Sequence, residues 1–333
     1  MQTILKYLIA LPIFIFLVLI IWLFFGSPKK AEKIIWGVNF SVKQSDFLEL
    51  DPKENYLAIL DDLKAKNIKI SVHWDLIEPE NNVYDFKDLD WQVIEAQKRD
   101  VNLILAIGMK TPRWPECHLP QWAWNLNKEE QQNEILKYLE EIVFHYKDYS
   151  NISAWQVENE PFFKFGSCPW SDESFLKKEV LLVKQLDPAR PIIITDSGEI
   201  STWNKAAKIG DLVGFTTYRN VWQEQVKGYF SYNPWLTPMF YSRRAQLVKQ
   251  IYHKKAIGIE LQAEPWCRNS IMNASLKEQE KTMSLDHFKQ AIKFARDTGI
   301  DTYYFWGAEW WHWMKTKQGH PEYWEEAKKV FSE

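Results

Sequence analysis

Two glutamate-rich segments carry side chains that could perform acid–base chemistry. The first has the sequence VENEP at residues 157–161, and the second has the sequence IELQAEPW at residues 259–266. Two carboxyl groups can cleave a glycosidic bond when one donates a proton to the leaving oxygen and the other attacks or activates water. Their surroundings must hold the two pKa values apart. The pattern therefore indicates sugar chemistry, provided that the fold brings both segments to one place.

Eight apolar runs alternate with amphipathic helical patterns after residue 33 and could position these segments. The runs lack strict alternation of polar and apolar residues, which indicates strands buried on both faces. This order predicts one (β/α)8 barrel over residues 34–333, with its chemistry at the carboxyl ends of the strands. The predicted strands are residues 34–40, 68–74, 101–107, 152–157, 191–195, 211–216, 256–262 and 302–306.

A doubly wound sheet is the alternative fold. Such a sheet usually has a glycine-rich, phosphate-binding turn after its first strand. Residues 39–42 read NFSV and contain no glycine. The barrel is therefore the predicted fold, and its fourth and seventh strands end in the two glutamate segments.

The segment at residues 157–161 resembles the strand-four Asn-Glu-Pro motif of the clan A (4/7 superfamily) retaining glycoside hydrolases, which are cellulase-like and β-galactosidase-like TIM barrels. Residues 74–80 and 84–90 are similar to the stretch that follows strand two in several of these families. Trp306 is similar to their tryptophan platform under the sugar. The resemblance covers nearly the whole chain after residue 33.

The resemblance implies a role for three residues. Glu160 would be the acid/base, Asn159 would contact the sugar 2-hydroxyl, and Glu260 would be the nucleophile. It also implies net retention of configuration, which requires carboxyl groups about 5 to 5.5 Å apart.

The strand-seven nucleophile has a competitor. Glu260, Gln262 and Glu264 have the same parity, so all three could point inward if the strand continues. Glu264 also precedes a proline, as Glu160 does. Glu260 is the predicted nucleophile because residues 259–261 resemble the family's short strand followed directly by its glutamate, and Glu264 is the alternative.

Aromatic and polar residues near the strand ends could contact a glycan. The chain has 18 Trp, and flat indoles stack well on the apolar C–H faces of sugars. For each residue the alternative is a structural role, and Tyr218 could instead bond the nucleophile. The predicted substrate contacts are Asn159, His73, Trp74, Tyr218, Trp266 and Trp306. Tryptophans at the strand ends are Trp114, Trp122, Trp124, Trp222, Trp266, Trp306, Trp310, Trp311 and Trp313.

The N-terminal residues predict a membrane anchor. Residues 8–25 contain no charged side chain and are nearly long enough to span a bilayer as a helix. A cleaved signal peptide is the alternative, but the apolar run is longer than usual and FFGSP at residues 24–28 is a poor cleavage site. We expect residues 1–33 to form a single-pass anchor and linker, with the barrel outside the cell.

Charge and cysteine content limit the partners. The chain carries 41 basic and 44 acidic residues, a net charge of -3, without the basic stripe that nucleic acid requires. The three cysteines are too scattered for a zinc cluster. We expect three unpaired thiols, with one disulfide plus a free thiol as the alternative. We also expect a monomer without metal or cofactor.

The predicted function is hydrolysis of a β-linked oligosaccharide or polysaccharide. One alternative is a catalytically silent barrel that binds glycan at the cell surface. Another is a transglycosylase that uses the same residues. The choice between internal and terminal cleavage depends on the loops that border the cleft.

Overall fold

A closed barrel of parallel strands forms the centre of the protein. The computed structural model describes residues 2–233 and 235–333, without the side chains of residues 2–10 and 16. In this part of the chain, eight strands pair in the order β1–β10–β9–β6–β5–β4–β3–β2, and β7 and β8 form a separate antiparallel hairpin. This confirms the predicted (β/α)8 barrel. The strands are β1 (Ile35–Phe40), β2 (Asn67–Ser71), β3 (Asn102–Ile107), β4 (Ile152–Val157), β5 (Ile192–Asp196), β6 (Leu212–Thr217), β7 (Asn220–Gln223), β8 (Gly228–Ser231), β9 (Lys255–Gln262) and β10 (Thr302–Trp306).

Helices connect the strands and cover the outside of the barrel. Local capping fixes where several begin: the Asn127 side chain accepts hydrogen bonds from the backbone N–H groups of Glu129 and Glu130, and Asp172 caps the helix after β4 in the same way. The α-helices of the described residues are α1 (Gln2–Phe24), α2 (Val42–Phe47), α3 (Pro52–Leu57), α4 (Trp74–Ile77), α5 (Lys87–Gln97), α6 (Lys128–Tyr146), α7 (Glu173–Leu186), α8 (Asn204–Ile209), α9 (Pro238–Tyr252), α10 (Leu276–Gln279), α11 (Leu285–Asp297), α12 (Ala308–Lys317) and α13 (Glu322–Phe331).

Side chains of opposite parity on the strands build two apolar layers. The larger layer lies between the strands and the helices and includes Leu103 and Leu105 of β3. Their neighbour Ile104 belongs to a separate, smaller cluster inside the barrel. Burial on both faces explains why the strand sequences read as continuous apolar runs. The inner cluster consists of Ile104, Ala154, Ile193, Ile257, Ile259 and Tyr304.

The second strand ends earlier than predicted. β2 stops at Ser71, whereas the prediction extended it to Trp74. His73 has an extended backbone and immediately precedes α4, which begins at Trp74. The aromatic residues after the strand prolong its apolar pattern, so sequence alone placed the boundary three residues too late.

The N-terminal segment forms a helix that packs against α9. The rings of Phe24 and Phe240 are stacked with centroids 4.9 Å apart, and Thr237 donates a hydrogen bond of 3.0 Å to the Phe24 carbonyl. Among the described residues, no helix has both the length and the apolar character that a membrane crossing needs. The predicted transmembrane span is therefore not confirmed, and the side chains of its residues 8–10 and 16 lie outside the described part.

The expectation of three unpaired thiols is wrong. Cys117, in the loop after β3, forms a disulfide with Cys168, in the loop after β4. Cys267 is the free cysteine of the described residues. The two partners are 51 residues apart in sequence, and the direct pairing of β3 with β4 brings their loops together.

Candidate active site

A cavity of about 490 Å³ lies at the carboxyl ends of the barrel strands. It brings together residues that the sequence predicted from segments far apart in the chain, including both carboxyl groups. The position agrees with the rule that places the chemistry of such barrels at this face. The predicted residues that line it are Asn159, Glu160, Tyr218, Glu260, Trp266 and Trp306, together with the alternative nucleophile Glu264.

Glu160 is held in a backbone conformation that is rare for a residue with a side chain. It follows the end of β4 with a φ of 39°, and its backbone N–H donates to the Thr195 hydroxyl at 2.6 Å. The Thr216 hydroxyl lies 3.2 Å from Glu160 Oε1 and donates to it. Burial raises the pKa of Glu160 well above its usual value, and the negative charge of Glu260 raises it further. Glu160 is therefore suited to carry a proton.

Glu260 lies in β9 between two donors. The Lys69 ammonium, from β2, is 3.1 Å from Oε1, and the Tyr218 hydroxyl donates to Oε2 at 2.8 Å. Both side chains of the lysine–glutamate pair are almost fully buried. Opposite Ile259 the pairing with β6 shifts register, an irregularity that commonly redirects side chains beside active sites. A cation and a hydroxyl donor therefore contact the two carboxyl oxygens of Glu260.

Glu264 has a different environment. It forms a buried ion pair with Arg113, whose other terminal nitrogen is 3.1 Å from Glu309. The same guanidinium lies 3.8 Å from the ring centroid of Trp306 and covers one face of the indole. Glu264 is thus part of a charge cluster at the side of the cavity and lacks the lysine and tyrosine partners of Glu260.

Asn159 is fixed by its neighbours. Its side-chain oxygen accepts from Gln156 at 3.1 Å, and its Nδ2 donates to Glu116 at 3.1 Å. Burial raises the pKa of Glu116 to about 7. The amide nitrogen of Asn159 retains a second hydrogen that a sugar hydroxyl could accept.

Glu158 binds the backbone that follows the end of β3. Its carboxyl oxygens accept from the backbone N–H groups of Met109 and Lys110 at 2.7 and 2.8 Å. Burial raises the pKa of Glu158 to about 7, and Glu179 of α7 is its hydrogen-bond partner. At Gly108, with a φ of 120°, a Cβ would lie only 2.3 Å from the Glu158 carboxyl, so this site requires glycine.

His73 and Trp74 are not brought to the cavity. The His73 ring nitrogens lie 3.0 Å from the hydroxyls of Ser41 and Thr111. Burial lowers its pKa well below the usual value. Trp74 is fully buried, and its indole N–H donates to Glu78 at 2.7 Å. Both side chains have structural partners in the described part of the protein.

Comparisons with known proteins identify the family. The model of glycosyl hydrolase family 10 matches residues 32–224, which is more than half of the chain. The chain belongs to this family. The match spans β1 to β7 and includes Asn159, Glu160 and Lys69. It confirms the predicted resemblance to the clan A glycoside hydrolases.

Family 10 proteins also appear among the similar sequences and structures. A curated relative, endo-1,4-β-xylanase B of Thermotoga neapolitana, is 25% identical over 177 residues, and the match spans 50% of this chain and 48% of that enzyme. An endo-β-1,4-xylanase of family 10 from Gloeophyllum trabeum superposes with a TM-score of 0.57 at 16% identity, over 90% of this chain and 97% of that one. A β-galactosidase from Halorubrum lacusprofundi gives 0.59 at 13% identity, over 90% and 58%. Both superpositions show a shared fold.

Sequence reasoning missed several residues that line the cavity of this family 10 chain or contact its carboxyl groups. Lys69 was recognisable from the sequence, because a charged residue in the middle of the apolar strand NIKIS requires a buried partner. The others lie in loops or are small hydroxyl residues, which no periodicity marks. The missed residues are Lys69, Arg113, Glu116, Glu199 and Thr216.

Of the nine tryptophans predicted at strand ends, four line the cavity. Trp310 and Trp311 are fully buried in the core instead. A tryptophan beside a strand end can serve either purpose, and only the packing of the helices decides between them. The four that line the cavity are Trp114, Trp222, Trp266 and Trp306.

Proposed function

We propose that the chain is a retaining glycoside hydrolase that cleaves a β-linked glycan, with Glu160 as acid/base and Glu260 as nucleophile. The observation that carries the proposal is the contrast between two carboxyl groups in one cavity. Burial and charge favour the protonated form of Glu160, whereas Glu260 contacts a lysine and a tyrosine hydroxyl. Two carboxyl groups with separated roles are what double displacement requires.

In the first step Glu260 attacks the anomeric carbon while Glu160 donates its proton to the leaving oxygen. The Glu260 carboxylate becomes an ester and loses its negative charge. That charge contributes most, after burial, to the raised pKa of Glu160. Formation of the ester therefore lowers the pKa of Glu160 and prepares it for the second step.

In the second step Glu160 acts as a base. It takes a proton from a water molecule, the water attacks the anomeric carbon, and the bond to Glu260 breaks. Lys69 and Tyr218 then stabilise the carboxylate as it regains its charge. Asn159 is placed to bond the 2-hydroxyl, an interaction that strengthens in the transition state.

The relatives support β-1,4-xylan as the first substrate to test. The matched curated relative is named an endo-1,4-β-xylanase, but the chain matches only about half of its length, and other similar structures are β-galactosidases. The aromatic lining of the cavity suits sugars in general. Specificity therefore has to be measured across xylan, β-galactosides and other β-linked glycans.

We infer that the barrel acts outside the cytoplasm. A disulfide between Cys117 and Cys168 is typical of oxidising compartments, and a polymeric glycan does not enter cells. Digestion of intact cells by an added protease tests this location. A barrel that is cleaved only after lysis would contradict it.

The test of the mechanism is hydrolysis by the full chain and by Glu160→Gln and Glu260→Gln, with Glu140→Gln on the surface of α6 as control. We expect Glu260→Gln to be inactive on every substrate. Glu160→Gln should lose activity on glycans. On aryl β-glycosides with acidic phenols it should keep the first step, seen as a burst of phenol, because a good leaving group needs no proton, whereas the second step is slowed because it lacks its base. The first product formed should keep the β configuration by NMR.

Other outcomes would favour the alternatives. Glycan binding without turnover, equal in the parent and both variants, would support a silent binding barrel. Products longer than the substrate would support a transglycosylase. Activity that survives in Glu260→Gln but not in Glu264→Gln would move the nucleophile to Glu264.

A further inference from the structure

Two aromatic rings meet across the mouth of the barrel. Phe165 follows β4, Trp266 follows β9, and their ring centroids are 5.9 Å apart. β4 and β9 are not neighbours, because β5 and β6 separate them in the barrel. The same two strands carry Glu160 and Glu260. The contact, here called the aromatic bridge, therefore joins the two loops that follow the proposed catalytic carboxyl groups.

The Phe165 side of the aromatic bridge is held by several contacts. Its ring stacks beside Phe163 with centroids 6.0 Å apart and meets Trp114 edge-on at 6.2 Å. The backbone N–H of Ser167 donates to the Pro115 carbonyl at 2.9 Å. The disulfide at Cys168 ties the same loop to the loop after β3. These contacts fix the segment over the cavity.

The Trp266 side is fixed as well. The Trp266 ring meets the ring of Tyr218 edge-on at 4.9 Å, and its backbone N–H donates to the Thr282 hydroxyl at 3.0 Å. The Trp266 carbonyl accepts from the N–H of Trp222 in the β7–β8 hairpin. Tyr218 also bonds the proposed nucleophile Glu260, so Tyr218 connects the bridge to that carboxyl group.

Loops from most of the barrel strands line the cavity. Its described lining comes from the segments after seven of the eight barrel strands, all except β2, and the enclosed space is about 490 Å³. A polysaccharide that is cut internally must lie through the site with both ends free. A contact between the two loops that follow Glu160 and Glu260 would block one direction along such a path, so the site would admit a chain end instead. One lining residue for each of the seven strands, in chain order, is Phe47, Trp114, Phe163, Ile200, Tyr232, Trp266 and Trp306, the last at the end of β10 itself.

We propose that the aromatic bridge makes this protein an enzyme that acts on chain ends and short oligosaccharides and excludes internal bonds of a polymer. The inference rests on the proposed function and specifies its substrate class. It separates this chain from the relative whose name states internal cleavage. Phe165 and Trp266 are the residues that determine this specificity.

The experiment follows the viscosity of soluble linear β-1,4-xylan against the number of reducing ends released. Aryl β-xylosides and short end-labelled xylo-oligosaccharides are assayed in parallel. The wild-type chain should release reducing ends with little loss of viscosity and should shorten labelled oligosaccharides from one end. Phe165→Ala and Trp266→Ala should each increase the viscosity loss per bond cut several-fold. Phe144→Ala, an exposed phenylalanine on α6, should behave as wild type.

The outcomes separate this inference from the proposed function. Cleavage of the short substrates together with a steep viscosity loss in the wild type would overturn the inference and leave the hydrolase intact. If both bridge variants keep the wild-type viscosity loss per bond cut and melt near the wild-type temperature, the assignment of Phe165 and Trp266 would be overturned. Cleavage of none of these substrates or of any other β-linked glycan would overturn both proposals. If a bridge variant does not fold, the viscosity loss per bond cut by the wild-type chain still decides between internal and terminal cleavage.

Discussion

Lys69 is the residue whose position gives the strongest support to Glu260 as the proposed nucleophile. Lys69 lies in β2 with its ammonium fully buried. The ammonium donates a hydrogen bond to Glu260, 191 positions further along the chain. Burial lowers the pKa of Lys69, while the charge of Glu260 opposes that change. A buried lysine is stable in its charged form only beside such a partner. The contact with Lys69 thus fixes the direction of the Glu260 carboxyl group.

We predict that Lys69→Met reduces kcat by roughly 100-fold, the order expected when one preorganised charge is lost from an active site. The substitution leaves Glu260 buried without its cation, so the free energy of unfolding should also fall by about 3 kcal/mol. Steady-state kinetics and urea denaturation measure the two effects. The control is Lys255→Met. Lys255 is a part-exposed lysine at the start of β9, the strand that carries Glu260. Equal kinetics in the two variants would show that Lys69 does not act on the nucleophile.

Lys69 also shows why the sequence predicted only part of the site. Glu160 and Asn159 were predictable, because they lie in one short motif at a strand end. The partners of Glu260 were not fully predictable, because Lys69 comes from β2 and Tyr218 follows β6. The sequence favours Glu260 over Glu264 only by resemblance, and the ion pair of Glu264 with Arg113 supports that preference. Contacts between distant segments leave little local pattern.

At the scale of elements, a pair of carboxyl groups joins β4 to α7. Glu158 holds the backbone of the β3 end, and Glu179 of α7 bonds Glu158. Both are buried, and burial raises the pKa of each carboxyl, that of Glu158 from 4.5 to about 7. Two such groups in contact share a proton more readily than they carry two charges. The proton therefore helps to hold the helix against the strand that ends in Glu160.

We predict that Glu179→Gln makes stability less dependent on pH. A raised pKa means that the folded state binds more protons than the unfolded state between pH 4.5 and about 7, so this pair lowers the free energy of unfolding as the pH rises through that window. A glutamine amide donates to Glu158 without needing a proton. Thermal melts from pH 4 to 8 should show a smaller loss of stability in the variant than in wild type or Glu140→Gln. Parallel curves for all three proteins would contradict this role.

The strands were predictable to within a few residues for a physical reason. Burial on both faces forces nearly continuous apolar runs, which stand out from the amphipathic helices around them. The errors occur where that signal fails. His73 and Trp74 continue the apolar run of β2 but lie beyond its end, and the β7–β8 hairpin is too short and too polar to be recognised.

At the scale of the whole molecule, the disulfide links the two loops that form one wall of the cavity. Cys117 and Cys168 close a loop of 51 residues that contains α6 and β4. The chain-entropy model gives such a cross-link about 4 kcal/mol of stabilisation, through restriction of the unfolded chain. The same link holds the segment that carries Phe165. Global stability and the mode of glycan cleavage should therefore change together when it is removed.

We predict that Cys168→Ser lowers the melting temperature and abolishes its response to a reductant, and that it also raises the viscosity loss per bond cut on xylan. The half-buried Cys168 is the better site for the change, because Cys117 is packed in the core. Cys267→Ser is the matched control and should keep both the reductant response and the wild-type cleavage ratio. A melting temperature that does not move when thiol counting shows full reduction would contradict the stabilising role. A lower melting temperature with an unchanged cleavage ratio would mean that Trp114, Phe163 and Trp266 hold Phe165 in place without the disulfide.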